Sequence, residues 1–275
     1  MGCFEPENRA SKRLKTRYAG SSKVYKRSSL ADFEAYTACT ERAAINDHAF
    51  ANFKRDKCST EILEHVTADQ GRQYLDIVLK DNPAILQHLD QFRENDRYGN
   101  PITSNYGPYG EFSPTTLRYL KVLSDLLTIH GDLSNMNIIE IGGGYGGQAN
   151  VISRFCGFRS YAIVDLKPCL GLARRYLDIN KVKNVKYLQM DELAEDASYD
   201  LLISNYAFSE CTRGIQETYF KKALSRTKRA YLTCNNINPK YFNSFGKQDY
   251  LDRLRGSRIL EEIPITHPDN YIVVW

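Results

Sequence analysis

Glu140 stands two residues ahead of Gly142, Gly143, Gly144, Gly146 and Gly147, in the stretch N-I-I-E-I-G-G-G-Y-G-G-Q at 137–148. Glycines at this density let the backbone turn sharply and approach a ligand where any Cβ would collide. The apolar run Ile138, Ile139, Ile141 ahead of them reads as a buried parallel strand. Behind them, Val151, Ile152 and Phe155 lie at helical spacing between Gln148 and Phe155. Strand, glycine loop and helix in this order place a ligand site at the strand's carboxyl edge. The plain alternative is a glycine-rich turn that binds nothing.

The charge in front of the loop bears on the ligand. Gly142, Gly144 and Gly147 fit G-x-G-x-x-G, the dinucleotide fingerprint, which alone is unspecific. With Glu140 they also fit E-x-G-x-G-x-G, the first motif of S-adenosylmethionine (SAM) dependent methyltransferases. A pyrophosphate calls for bare amides at a helix N-terminus. A carboxylate there repels that anion but suits the ammonium of a methionine moiety, so SAM is expected over a nicotinamide or flavin. A second acid follows: Ser160 to Asp165 reads as a strand that ends 25 residues after Glu140, where a carboxylate takes both ribose hydroxyls of a nucleoside. Asn184 to Met190 is the next strand, with Asp191 placed for the adenine amino group.

Alternating elements position these groups. Leu201 to Asn205 and Ala230 to Thr233 read as further strands. Ile259 to Thr266 and Tyr271 to Trp275 flank a tight H-P-D-N turn, so the last two strands must be antiparallel. Ser113-Pro114 opens a helix (Leu117, Leu120, Leu123, Leu127) that Gly131 stops. Upstream, 30–95 is helical in pattern: Ser29 as cap before Leu30, Phe33 and Tyr36; Thr67 with Gln70 as a capping box; Asn82-Pro83 opening a helix with Ile85, Leu86, Leu89 and Phe92. This region covers a cleft or forms a homo-oligomer interface. Between 96 and 113, Tyr98, Tyr106 and Tyr109 alternate with glycine and proline breaks. They serve either a lid whose rings stack on an adenine or sugar, or a linker anchored to the core. The expected units are a basic arm at 1–28, a helical subdomain with the loop at 29–112, and a SAM-binding domain at 113–275.

Composition is that of a globular protein, with 42% hydrophobic and 25% charged residues among 275. No apolar run reaches membrane-spanning length. The seven cysteines are scattered without a C-x-x-C pair, which suits free thiols in a cytoplasmic setting better than disulfides or zinc. Residues 1–30 hold eight Lys/Arg and two Glu, a balance of +6 within a chain total of +4, so the other 245 residues sum to −2. The arm is either a solvated tail or a contact for an anionic partner. The body has no basic excess, which argues against nucleic acid as partner.

Several stretches together resemble the sugar O-methyltransferases of bacterial surface-polysaccharide gene clusters. They are G-N-P near Gly99, S-P-T-T-L-R-Y-L at 113–120, I-I-E-I-G-G-G-Y-G-G-Q at 138–148, D-L-L-I-S-N-Y-A-F-S-E at 200–210 and the closing E-E-I-P-I-T-H-P-D-N-Y-I-V-V-W. The resemblance covers roughly 95 to 275. It implies an α/β fold with a Rossmann-like class I methyltransferase sheet, mostly parallel with an antiparallel C-terminal hairpin, preceded by a helical N-terminal extension. It also implies methyl transfer to a sugar hydroxyl of a nucleotide sugar or glycan.

Carried over by position, the SAM contacts fall on Glu140, Gly142, Gly144 and Gly146 at the methionine end, Asp165 at the ribose and Asp191 near the adenine. Asn205 and Tyr206 lie where the fourth strand opens toward the methyl group, and Arg118 and Tyr106 are further cofactor candidates. Ser204-Asn205-Tyr206-Ala207-Phe208 lacks the prolines of the D/N/S-P-P-Y/F grip of amino-directed DNA methyltransferases. Glu210 and His267, with Tyr206, are the catalytic candidates: a sugar hydroxyl needs a group that removes its proton. A divalent metal on Glu210, His267 and Asp269 has no spacing signature behind it. Other readings are a small-molecule or nucleic-acid methyltransferase, a non-catalytic SAM- or nucleotide-binding partner, and a nicotinamide oxidoreductase.

Overall fold

The computed structural model describes residues 28–275; the basic arm expected at 1–28 lies almost wholly outside them. The N-terminal part is helical: α1 (Glu34–Ile45), α2 (Asp47–Asn52), α3 (Lys57–Ile62), α4 (Ala68–Asp81) and the short α5 (Leu89–Phe92). Thr67 caps α4 as expected, accepting from the Gln70 amide at 3.2 Å while the Gln70 side chain accepts from the Thr67 amide at 2.9 Å. Two other starts differ. Ser29 forms an isolated bridge with Cys211, and α1 begins only after Phe33. Asn82 and Pro83 do open a helix, but it is the 3-10 helix Pro83–His88 that runs into α5, and the Asn82 side chain makes no cap bond, its amide donating instead to the Ser124 and Thr128 hydroxyls.

Strands β1 (Ser104–Asn105) and β2 (Glu111–Phe112) pair antiparallel within the tyrosine-rich loop. Helix α6 (Pro114–His130) starts on the Ser113 cap and stops at Gly131, whose φ is +79°. A seven-stranded sheet follows: β3 (Asn137–Ile141), β4 (Ser160–Val164), β5 (Val185–Leu188), β6 (Leu201–Asn205), β7 (Ala230–Cys234), β8 (Arg258–Glu261) and β9 (Tyr271–Val274), in the order β5-β4-β3-β6-β7-β9-β8. Only β9 is reversed, pairing antiparallel with both β7 and β8. This is the Rossmann-like, mostly parallel sheet with a terminal hairpin that the sequence implies. Helices α7 (Gly147–Phe155), α8 (Lys167–Ile179), α9 (Arg213–Lys222) and α10 (Lys247–Arg253) complete it.

Strand residues alternate between two cores, as the period of two demands. Ile138, Tyr161, Ile163, Leu201 and Ile203 face the side covered by α6, α7 and α8. Ile139, Ile141, Val164, Leu202 and Leu232 face the aromatic cluster of Phe208, Phe245 and Tyr250. The helical N-terminal part joins the first core through Tyr74, Leu75 and Val78 of α4, all buried against α6.

A tighter junction lies at the glycine loop itself. Tyr145, 1% exposed, projects from the loop into a box of Phe53, Tyr119 and Tyr176, with ring centroids 5.2, 6.2 and 5.0 Å away at steep, edge-on angles. Such arrangements are favourable beyond the area they bury. The ammonium of Lys54 sits 4.6 Å from the Tyr145 centroid and donates to the Asn95 carbonyl. Tyr145→Ala is expected to lower unfolding free energy by about 3–5 kcal/mol, the range for truncating a buried aromatic. Urea denaturation measures it, and a loss under about 1 kcal/mol would mean that the box does not clamp the loop.

Candidate functional site

The loops that leave the carboxyl edge of the parallel strands converge on one region. After β3, Gly142 has φ +76°, and a Cβ there would lie 2.0 Å from the Cβ of Ala207 in the loop after β6. Only glycine lets those two loops touch. Gly146, at φ +89°, precedes α7. Asp165, just past β4, accepts from the Gly144 amide at 2.9 Å and from the Leu166 amide at 2.7 Å, which fixes its carboxylate against the glycine loop. Burial pushes its pKa up to about 6 against the pull of those two bonds.

Glu140 is 2% exposed beneath the loop and accepts from the Tyr161 hydroxyl at 2.9 Å. Burial pushes it up to about 7; Tyr161 works the other way and Asp165 adds to the rise. Near neutral pH Glu140 thus stands close to its midpoint, and a nearby cation would favour the carboxylate.

Asn205 ends β6 with both polar atoms of its amide buried and without a partner. Unpaired buried amides are costly and rare in folded proteins. Tyr206 follows with φ +68°, a left-handed conformation that bulky residues seldom adopt and that clusters at functional sites. Its hydroxyl donates to Glu262 in the connection between β8 and β9. Glu262 is 4% exposed, and its second oxygen accepts from the Thr266 amide at 2.9 Å, the Thr266 hydroxyl at 2.6 Å and the Asn270 amide at 2.9 Å. Burial foremost, then the Glu262 charge, holds the Tyr206 phenol well above its ordinary pKa.

Arg118, near the start of α6, donates to the Leu63 carbonyl at 3.2 Å, while its Nε is buried without a partner. Among the described residues no carboxylate forms an ion pair with it. Its charge reaches Tyr74 and Tyr206 and lowers both phenols against their burial. Glu64 presents a buried Oε1 that also has no partner.

The other predicted residues are more scattered. Asp191 is exposed in the turn after β5, and its carbonyl accepts from Lys222 at 3.2 Å. Glu210 accepts from the Asn235 amide at 2.6 Å, and burial raises its pKa. Its carbonyl receives the Leu30 amide at 3.2 Å, so the segment before α1 is laced to the loop after β6. His267 accepts from the Asp269 amide at 3.2 Å within the terminal turn.

One expectation needs correction. Tyr106 has no ring face for a ligand: it is 1% exposed, its hydroxyl reaches the Ala68 carbonyl at 3.3 Å, and a Cβ on Gly71 would lie 2.2 Å from that oxygen. Tyr98 likewise packs on Phe50, so of the two readings of this loop the anchored linker fits. Glu210, His267 and Asp269, for which the sequence offers no metal-ligand spacing, are not gathered into a ligand set among the described residues. Sequence reasoning missed Glu262 and Glu64. Glu262 lies in a stretch whose similarity was visible, but the loop that folds Thr266 and Asn270 back onto it has no periodicity to reveal the contact.

No protein-family model and no curated protein matches the chain. Among solved structures it is similar to a protein described as a sarcosine dimethylglycine methyltransferase from Galdieria sulphuraria, with 21% identity over 44% of this chain and 48% of that one, TM-score 0.37. A T. thermophilus 16S rRNA methyltransferase in complex with AdoMet and guanosine shares 17% identity over 63% and 45%, TM-score 0.44. The chain therefore spans about half the length of these two. A mutant of MtNAS matches over 97% and 94% at 16% identity, TM-score 0.44. No helix among the described residues is long and apolar enough to cross a membrane.

The raised acids carry a pH signature. An acid whose pKa is higher in the folded state stabilises the fold fully below its unfolded value, and that stability is lost as pH rises through the folded value. Glu140 and Asp165 place this loss between about pH 4 and 7 in the ligand-free protein. Glu140→Gln is expected to lose less stability than wild type between pH 5 and 8, by an amount up to about 2–3 kcal/mol. Parallel stability curves for the two proteins would refute the Glu140 assignment.

Proposed function

We propose that this chain is a SAM-dependent O-methyltransferase acting on a sugar hydroxyl. The observation that supports the cofactor reading is Asn205: a buried amide with no partner at the end of β6, two residues before the Ala207 that touches Gly142, points to a ligand that completes its hydrogen bonds. The residues present fit such a ligand. Glu140 suits the ammonium of a methionine moiety, and the Arg118 guanidinium, whose Nε has no partner, suits its carboxylate. Asp165 suits the ribose, with an exposed Asp191 beyond it toward the adenine. The fold and the sequence resemblance support the same reading.

When bound, SAM supplies a methyl group already activated on a sulfonium. The chain's own work is then alignment and proton removal. Tyr206 lies next to Asn205, and its oxygen can accept the acceptor's hydroxyl proton while its own proton passes to Glu262. The hydrogen bonds from Thr266 and Asn270 hold Glu262 in place for that transfer. Glu210 is the second candidate for this role: it lies four residues beyond Tyr206, and burial raises its pKa against the Asn235 hydrogen bond. The sugar as acceptor rests on the resemblance, and the lack of a proline-bearing grip after Asn205 supports oxygen over a base nitrogen.

Two experiments test this. Calorimetric titration with S-adenosylhomocysteine should show micromolar binding, with NAD as a silent control. Asp165→Ala and Asn205→Ala should each weaken it at least ~10-fold, since each leaves buried polar groups unpaired. Unchanged affinity in both would remove the site. Glu262→Gln should bind S-adenosylhomocysteine as wild type does and lose at least ~10²-fold in methyl transfer to a sugar acceptor. Undiminished transfer in that variant would hand the role to Glu210.

A further inference from the structure

On the far side of the N-terminal helices, Cys39 of α1 meets Asp56 and Cys58 at the start of α3. One ligand atom from each lies within 4.8 Å of the other two, and all three residues are half-buried. We propose that Cys39, Asp56 and Cys58 form a binding site for a divalent metal ion of the zinc type, which clamps α1 to α3. The site is independent of the function proposed above.

Three observations support it. Cys39 Sγ lies 3.4 Å from Asp56 Oδ1. A tetrahedral ion about 2.3 Å from sulfur and about 2.0–2.2 Å from oxygen sets that edge near 3.5 Å, so the two atoms already stand at ligand spacing. The Asp56 carboxylate is also held in place, since it caps α3 by accepting from the Cys58 amide at 2.9 Å. The charges balance as well. Two thiolates and one carboxylate with a divalent ion leave one negative charge, and the Arg42 guanidinium, 3.1 Å from Cys39 Sγ, neutralises it.

Binding releases both thiol protons to solvent. A groove of about 690 Å³ lined by Arg42, His48, Asn52, Arg55 and Asp56 itself borders the cluster. The clamp has a structural consequence. Helix α3 leads straight into Leu63, whose side chain lies 3.2 Å from where a Cβ on Gly144 would sit. An ion at the start of α3 would thus steady the segment that covers the glycine loop.

The test is an anaerobic titration of the reduced, chelator-treated full chain with Co2+ alone. We expect one ion per chain with a thiolate-to-cobalt charge-transfer band. Cys39→Ser and Cys58→Ser should each weaken binding at least ~10-fold and diminish the band, and Asp56→Asn should weaken binding while keeping it. Cys156→Ser, at the end of α7 and outside the cluster, should change nothing. Cys58 lies at a helix start, so its serine variant stays informative if Cys39→Ser fails to fold. The proposal is overturned if no band forms, if the band survives the Cys39/Cys58 double variant, or if the two residues are found disulfide-linked in protein purified under reducing conditions.

Discussion

The insertion of Tyr145 into its aromatic box is the contact on which the rest of the site depends. A glycine-rich loop is entropically expensive to hold in one conformation, because each glycine loses more freedom on folding than any other residue. Tyr145 supplies the counterweight from within the loop: a large ring, almost fully buried, fixed by Phe53 from the N-terminal helices and by Tyr119 and Tyr176 from the helices on the sheet. Lys54 adds a buried cation beside that ring, whose pKa burial lowers while Asp96 and Glu64 oppose the fall. The N-terminal helices are therefore part of the mechanical support of the ligand loop. Leu63 over Gly144 and the Arg118 bond to the Leu63 carbonyl tie the same two regions together.

The electrostatics of the site follow from that closure. Excluding water raises Glu140 and Asp165 and leaves Arg118, Glu64 and Asn205 with unpaired polar atoms. Each is unfavourable in the empty protein, and together they are complementary to a ligand that brings a cation, an anion and hydrogen-bonding groups in a fixed arrangement. A carboxylate beneath the glycine loop favours a cationic group there, whereas a pyrophosphate would meet it as a repulsion. The charge in front of the glycines thus discriminates between ligands in the folded chain by the same physics that made it informative in the sequence.

Much of the fold was legible from pattern alone. The apolar runs mark each of the seven sheet strands, but β8 ends at Glu261 rather than at the expected Thr266, so the connection is 262–270 and not a tight H-P-D-N turn. It is still too short for a parallel crossover, and β9 is reversed. Local signals failed where a tertiary contact outbid them. Asn82 reads as a helix cap, but Ser124 and Thr128 take its side chain. Tyr106 reads as a ring for stacking, but α4 buries it. The acids at strand ends were found because strand periodicity predicts where a chain emerges. Glu262 and the Cys39–Asp56–Cys58 group were not, because their partners arrive from loops and helices whose relative placement no spacing encodes.

The division of labour within the site follows from which parts of the chain build it. Glu140, Asp165 and Asn205 sit on or just past adjacent parallel strands, so their positions are fixed by the ladder hydrogen bonds of β3, β4 and β6. Tyr206 and Glu262 are joined across the sheet by the terminal hairpin, and the Tyr206 amide is held by the Thr233 carbonyl at 2.8 Å, which helps to maintain its left-handed backbone. Glu64, Tyr74 and Arg118 close the same space from the helical side, where nothing in a strand ladder dictates the spacing. The sheet edge is therefore fixed by strand pairing, whereas the helical side and the connection after β8 are held by side-chain contacts alone. Substitutions at residues 63–74 or 262–270 can thus reshape this space without disturbing the ladder that carries Glu140, Asp165 and Asn205.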